Sequence, residues 1–243
     1  MSRVVPDISL ILPCRNEERF LRNTLEEVCR FLASYGRSFE ILVSDDSSTD
    51  GSKAIAEDYA RGHPEVRIIP GAPARGKGAA LSRGFAAARG TYAAFLDADL
   101  EIPVENLRQL LAALDEGVDI AIGSKSIGST ARQRPFVRRM LTGCYTAWVR
   151  LMLGSRLGDH QAGAKALRMD RCRAVLGRVK SPGWSWDTEM LIYAQQEGLR
   201  IRECAVTTQR QDRASRLQVF RDSIRVGRDV VRLRRQGNQL RHK

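Results

Sequence analysis

Short apolar runs alternate along this chain with amphipathic stretches, and nearly every run stops at a polar or acidic cluster. Ile8 to Leu12 is strand-length and is stopped by Pro13. After Arg15-Asn16-Glu17-Glu18, the residues Phe20, Leu21, Leu25, Val28, Phe31 and Leu32 fall on one side of a predicted helix. Phe39 to Val43 predicts a second strand, ending in Ser44-Asp45-Asp46-Ser47-Ser48-Thr49-Asp50-Gly51, with a helix over Ser52 to Arg61. Val66 to Ile69 predicts a third strand, and Arg75-Gly76-Lys77-Gly78 precedes an alanine-rich helix from Ala79 to Ala88. Tyr92 to Leu96 reads as a buried strand ending abruptly in Asp97-Ala98-Asp99. A helix over Val104 to Glu116 and a strand over Asp119 to Gly123, running into Ser124-Lys125, continue the pattern. Such alternation predicts the α/β class with a parallel, doubly wound sheet, and 243 residues suit one large domain better than two.

Beyond this point the pattern loosens. Gly128 to Pro135 is a basic segment carrying Arg132 and Arg134, and Met140 to Leu153 predicts an apolar helix. That helix is too short to span a bilayer, and packing on the core is favoured over membrane contact. Asp159-His160-Gln161-Ala162-Gly163-Ala164-Lys165 is placed on a loop before further α/β structure, and Trp184 to Glu189 opens a helix running to Glu197.

Charge divides the chain at about residue 210. Residues 209 to 243 carry 11 Lys/Arg against 3 Asp/Glu, whereas those before carry 29 against 25. We therefore expect a nearly neutral domain over 1–210 and a basic appendage over 211–243. In the appendage Leu217, Phe220, Ile224 and Val231 recur at helical spacing, with Arg221, Arg225, Arg228, Arg232 and Arg235 on another stripe. A basic amphipathic helix of this kind lies on anionic membranes or packs its apolar side on a core. Binding to nucleic acid is the weaker reading, because few aromatics interleave with the arginines. Five scattered cysteines without C-x-x-C spacing indicate neither a disulfide framework nor a zinc site, and fit a reducing cytosol. With no leader and no membrane-length apolar run, any meeting with a membrane is expected from the side, at its cytoplasmic face.

The polar clusters carry the candidate chemistry. Asp97 and Asp99 at a strand end offer hard oxygen ligands for Mg²⁺ or Mn²⁺ carrying a diphosphate, although D-x-D alone also describes an acidic turn. Asp45 and Asp46 suit the edge of a base and ribose hydroxyls, and equally an Asx-type turn before the next helix. Gly76 and Gly78 allow close backbone approach beside the Lys77 charge, as an ordinary flexible turn also would. Three acidic clusters in one crevice call for bound cations or hydrogen-bond donors.

Taken together, Pro13 with Asn16-Glu17, Val43 to Gly51, Gly76-Lys77-Gly78 with Ala80 and Gly84, and Asp97-Ala98-Asp99 resemble glycosyltransferase family 2 with its GT-A fold. Asp159 with Gln161, Gly163 and Lys165, then Trp186-Asp187-Thr188-Glu189 followed by Gly198, Ile201 and Glu203, are similar to the polyprenyl-phosphate and dolichyl-phosphate glycosyltransferases. The likeness covers about residues 6 to 216. It implies a Rossmann-like, mostly parallel sheet flanked by helices, a nucleoside-diphosphate sugar donor and a polyprenyl phosphate acceptor. Donor contacts would come from Pro13, Asn16, Glu17, Asp45, Asp46, Ser47, Lys77, Asp97, Ala98, Asp99 and Gln161. Mg²⁺ or Mn²⁺ would sit on Asp97, Asp99 and Glu101, the last standing where many relatives have glutamine. Lys125 stands where an arginine is common, and joins Asp187 and Asp159 in the catalytic group. Arg132, Arg134, Trp186, Glu189, Arg213, Ser215 and Arg216 would meet phosphate or acceptor, with Ala214 replacing the glycine of a G-S-R element. Relatives often carry membrane-spanning helices after this region, so attachment here is expected to be peripheral or to rest on a membrane-protein partner or a second copy of the chain.

For an inverting transfer, the acceptor oxygen attacks the anomeric carbon in line as the nucleoside diphosphate leaves. A phosphate acceptor needs no base. A sugar hydroxyl does, with Asp187 first and Asp159 second in line, unless Asp187 only caps its helix. The remaining alternatives are transfer to a saccharide or small-molecule hydroxyl, and a nucleotidyltransferase that would release pyrophosphate.

Overall fold

The computed structural model describes residues 5–128 and 136–209, without the side chains of 136–139, 141 and 142. Arg132, Arg134, Arg213, Ser215, Arg216 and the basic segment 211–243 therefore lie outside the described residues.

The first half follows the alternation of its sequence. β1 (Ile8–Cys14), α1 (Glu18–Tyr35), β2 (Phe39–Asp45), α2 (Ser52–Gly62), β3 (Val66–Ile69), α3 (Lys77–Ala87) and β4 (Tyr92–Leu96) succeed one another. Then come a 3₁₀ turn at Val104–Asn106, α4 (Leu107–Asp115), β5 (Ile120–Ser124), α5 (Phe136–Leu153), β6 (Ala164–Arg168), α6 (Met169–Arg178), α7 (Trp186–Gln196) and β7 (Ile201–Ala205).

The described strands form one seven-stranded sheet in the order β3-β2-β1-β4-β6-β5-β7. All neighbours are parallel except β6, which runs antiparallel to β4 and β5. Both faces are covered, as a near-continuous apolar strand sequence requires. Because successive residues point to opposite faces, Leu10, Leu12, Ile41, Val43, Ala94 and Leu96 pack with Leu21, Leu25, Ala56 and Leu110 of α1, α2 and α4. Ile11, Leu42, Ala93, Phe95, Ile120 and Ile122 pack with Leu81, Phe85, Cys172, Trp186 and Met190 of α3, α6 and α7.

Several expected boundaries move. Pro13 does not stop β1, which pairs with β2 as far as Cys14↔Asp45. Pairing of β1 with β4 ends at Ile11↔Phe95, so the missing Pro13 N–H falls beyond that ladder. Ala164 and Lys165, expected on a loop, are the first residues of β6, and Lys165 is paired with both Phe95 and Ile122. The helix from Val104 opens as a 3₁₀ turn. α5 starts earlier than expected and is two-faced: Val149 is buried and Tyr145 packs against the core, whereas Met140, Trp148 and Leu151 are exposed. Among the described residues no helix is long and apolar enough to cross a membrane.

At the amino ends of the strands, Glu40 is 2% exposed and ties the sheet together. Its carboxylate accepts from Ser9 Oγ at 2.7 Å, Arg67 Nη2 at 2.8 Å and Arg89 Nη2 at 2.7 Å. The clustered chemistry lies at the other end.

Candidate active site

Because β1, β2 and β4 are parallel neighbours, their carboxyl ends open onto one edge, where ligands of open α/β sheets bind. Just past each of them a non-glycine residue takes left-handed backbone angles: Asn16 (φ 56°), Ser47 (φ 59°) and Leu100 (φ 48°). Such conformations are uncommon and cluster where structure around them enforces a sharp turn. Here the enforcement is visible as a zipper between the first two loops. Asn16 N donates to Ser48 Oγ at 3.0 Å, Thr49 N donates to Asn16 Oδ1 at 2.8 Å, and Glu17 N donates to Ser52 Oγ at 2.7 Å. Asp45, 7% exposed, accepts from Ser48 Oγ at 2.5 Å, and Asp50 accepts from Ser52 N at 3.0 Å at the start of α2. Pro13 is half-buried beside them.

Asp46, expected against the donor, is spent inside the protein. It is 1% exposed and accepts from Gly76 N at 2.6 Å, Arg75 N at 3.0 Å and Arg83 Nη2 at 2.9 Å. Burial works to raise its carboxyl pKa, but Arg83 and the two backbone N–H groups hold it below the usual carboxylate range. Its work is to fasten the loop before α3. Ser47 is turned the same way, its hydroxyl donating to the Gly71 carbonyl.

That fastening delivers Lys77 to the end of β4. Lys77 Nζ lies 2.5 Å from Asp97 Oδ1. Burial alone would lower the ammonium pKa, yet Asp97, followed by Asp187 and Asp99, more than offsets this and raises it. Ala98 is 4% exposed and its carbonyl accepts from Thr24 Oγ1 at 2.6 Å, while Asp99 Oδ1 accepts from Glu101 N at 3.1 Å. Glu101 Oε2 is 2.9 Å from Lys125 Nζ, so this expected metal ligand is held by a cation of the protein. Asp97 is paired with Lys77 in the same way, and with Asp99 it makes up the D-x-D carboxylate pair. Mg²⁺ is commonly held by one or two carboxylates and substrate phosphates, so this donor set fits it although no group of three or more His, Cys, Asp or Glu gathers among the described residues.

The glycines around Lys77 have distinct reasons. Gly76 has φ 110°, outside the range of most residues. At Gly78 an added Cβ would stand 2.6 Å from both the Gly183 carbonyl and Trp186 Cβ, so the motif is a close contact between α3 and α7 and not a slack turn. Gly78→Ala is expected to destabilise by about 2 kcal/mol, as overpacking does; an unchanged urea midpoint would show that the contact relaxes freely.

The third group sits where β6 begins. Lys125 N donates to Asp159 Oδ2 at 3.0 Å, and Asp159 N donates to Glu203 Oε1 at 3.0 Å. Gln161 is half-buried on the same loop. Asp187, read as the leading base, is 2% exposed with its Oδ1 2.6 Å from Lys165 Nζ. Lys165 is fully buried, donates also to the Ala162 carbonyl at 2.9 Å, and has its pKa lowered by burial despite Asp187. Trp186 does not face an acceptor: it is fully buried, stacked on Phe85 at 5.5 Å, with Nε1 donating to Ser82 Oγ at 2.8 Å. Glu189 is also internal and accepts from Ser181 N at 2.8 Å and Tyr193 Oη at 3.1 Å.

Two residues that touch the candidate groups were not among the expected site residues. Lys165 was signalled by a lone charge within Ala162-Gly163-Ala164-Lys165-Ala166-Leu167. Trp184 was overshadowed by Trp186, yet it is the exposed one of the two, 44% against 0%, and the Lys77 ammonium lies 5.2 Å from its ring centre.

Comparison with known proteins matches this architecture. The family described as glycosyl transferase family 2 matches residues 9–176. Glycosyltransferase AglD of Haloferax volcanii is 32% identical over 229 residues, covering 93% of this chain but 36% of that protein. The dolichyl-phosphate beta-glucosyltransferase of Drosophila melanogaster is 30% identical over 241 residues, covering 92% of this chain and 73% of that protein. In three dimensions the chain shares the fold of glucosyl-3-phosphoglycerate synthase from Mycobacterium tuberculosis, solved with Mn²⁺, UDP and glucosyl-3-phosphoglycerate. The TM-score is 0.70 at 21% identity, over 91% of this chain and 77% of that one.

Proposed function

We propose, because this chain belongs to glycosyl transferase family 2, that it moves a hexose from a nucleoside-diphosphate sugar to a polyprenyl phosphate with inversion at the anomeric carbon. The observation that carries the reading is the Lys77–Asp97 pair at the end of β4, which sets a cation and the first carboxylate of D-x-D on the edge shared with the Asp45 turn. Pro13, Asn16, Glu17 and Asp45 frame the nucleoside, and Lys77 faces the diphosphate. Asp99 with Asp97 would hold Mg²⁺ or Mn²⁺, which when bound neutralises charge on the diphosphate. The acceptor oxygen bonds to the anomeric carbon as the bond from that carbon to the diphosphate breaks, and the electron pair leaves with the nucleoside diphosphate.

Asp187 bears on the class of acceptor. A sugar hydroxyl must lose its proton to a base, whereas a phosphate oxygen is already anionic near neutral pH. With Asp187 engaged by Lys165 inside the protein, the acceptor that brings its own charge is favoured. The relative named dolichyl-phosphate beta-glucosyltransferase supports the same acceptor. In this reading residues 1–210 perform the chemistry. The basic segment 211–243 meets anionic lipid at the cytoplasmic face of the membrane.

The test is nucleoside diphosphate release from a panel of UDP- and GDP-sugars with Mg²⁺ or Mn²⁺, with and without a short polyprenyl phosphate. Lipid-dependent release with one donor is expected. Release that depends instead on a saccharide would move the acceptor to the hydroxyl class, and pyrophosphate release would overturn glycosyl transfer.

A further inference from the structure

We propose that the indole of Trp184 is the stacking platform for the hexose ring of the donor, and so a determinant of which sugar is accepted. The inference rests on the donor class proposed above. Lys77 Nζ lies 2.5 Å from Asp97 Oδ1 at the end of β4, where the D-x-D pair begins. Trp184 supplies an apolar wall there, its ring centre 5.2 Å from the same ammonium that touches Asp97. The transferred sugar joins the diphosphate, so it must lie beside Lys77. A pyranose has an apolar face whose C–H bonds are drawn to the negative face of an aromatic ring.

The backbone that carries the ring is also held in place before any ligand arrives. Glu189 Oε2 accepts from Lys180 N at 3.2 Å and Ser181 N at 2.8 Å, and the Pro182 carbonyl accepts from Ala79 N at 2.9 Å. Trp186 N then donates to the Gly183 carbonyl at 3.2 Å. These bonds fix the backbone on both sides of Trp184, so little ordering is left for ligand binding to offset. Internal packing explains Trp186, whose ring is wholly covered, and does not explain a half-exposed indole two residues earlier.

The experiment is calorimetric titration of the wild type, Trp184→Ala and Trp184→Phe with UDP, GDP and their glucose and mannose conjugates, in Mg²⁺. Trp184→Ala is expected to weaken the conjugate that the wild type binds by about tenfold, the upper end for one aromatic contact. The matching nucleoside diphosphate keeps its affinity, and Trp184→Phe recovers most of the loss. Retained diphosphate binding also certifies the fold of each variant. Equal losses on conjugate and diphosphate, or no loss on either, would each overturn the platform. If the wild type binds no conjugate, the donor reading falls and the platform with it. Conjugate binding without transfer to lipid removes only the acceptor reading.

Discussion

Asp99→Asn is expected to lower kcat on the order of a thousandfold, the scale of losing one preorganised electrostatic contact to the leaving group, while the protein stays folded. The fold should survive because asparagine keeps the side-chain oxygen that accepts from Glu101 N, a bond of 3.1 Å. What is lost is negative charge beside Asp97, and with it the hold on a hard cation. The measurement is nucleoside diphosphate release at saturating donor and metal, beside a thermal melt of the variant. Unchanged turnover would sink the assignment of the D-x-D pair.

Lys165→Met is expected to be among the most damaging single substitutions for stability. It strands the Asp187 carboxylate, 2% exposed, without the ammonium 2.6 Å away. Breaking a buried pair by removing one partner costs about 3–5 kcal/mol, which in a domain of this size lowers Tm by roughly 10 °C. Lys165→Met combined with Asp187→Leu should recover most of that loss, because no buried charge remains uncompensated. Urea unfolding of the single and double variants reads both effects. If the single variant unfolds at the wild-type midpoint, Asp187 reaches solvent or another cation, and its candidacy as a base reopens.

These two residues also mark how far sequence reading reaches. β3 and β4 were legible residue for residue, because a short apolar run between polar clusters has few other readings. The positions of Asp97, Asp99 and Lys77 in the fold were legible for the same reason, since strand and helix ends place them. β6 was not legible. Its sequence, Ala164-Lys165-Ala166-Leu167-Arg168, carries two cations within five residues, and only its pairing with Phe95 and Ile122 makes Lys165 an interior residue. Its reversed direction leaves no local trace either, since the same alternation serves a strand of either polarity.

The roles of acidic residues divided along a similar line. A carboxylate at a strand end announces chemistry, but whether it faces ligand or protein depends on donors distant in the chain. Asp46 is claimed by Arg83 and the backbone at Gly76, and Glu101 by Lys125, none of them neighbours in sequence. Trp186 was misplaced for a related reason. The motif put it beside Asp187, but on the first turn of a helix adjacent residues face different ways, one into the Phe85 and Phe95 rings and the other toward Lys165.

The reversed strand has a consequence for where substitution is tolerated. β5 ends at the edge where the candidate chemistry lies, and β6 begins at that same edge, so the connection between Ser124 and Ala164 starts and finishes at one rim. The exposed positions of that connection, such as Met140, Trp148 and Leu151 on α5, can change without shifting the register of any strand, as exposed surface positions generally can. The loops that follow β1 and β2 have no such latitude, being laced to each other through Asn16, Ser48 and Ser52. Substitution is therefore expected to be tolerated on the outer face of that connection and to be costly in the two laced loops.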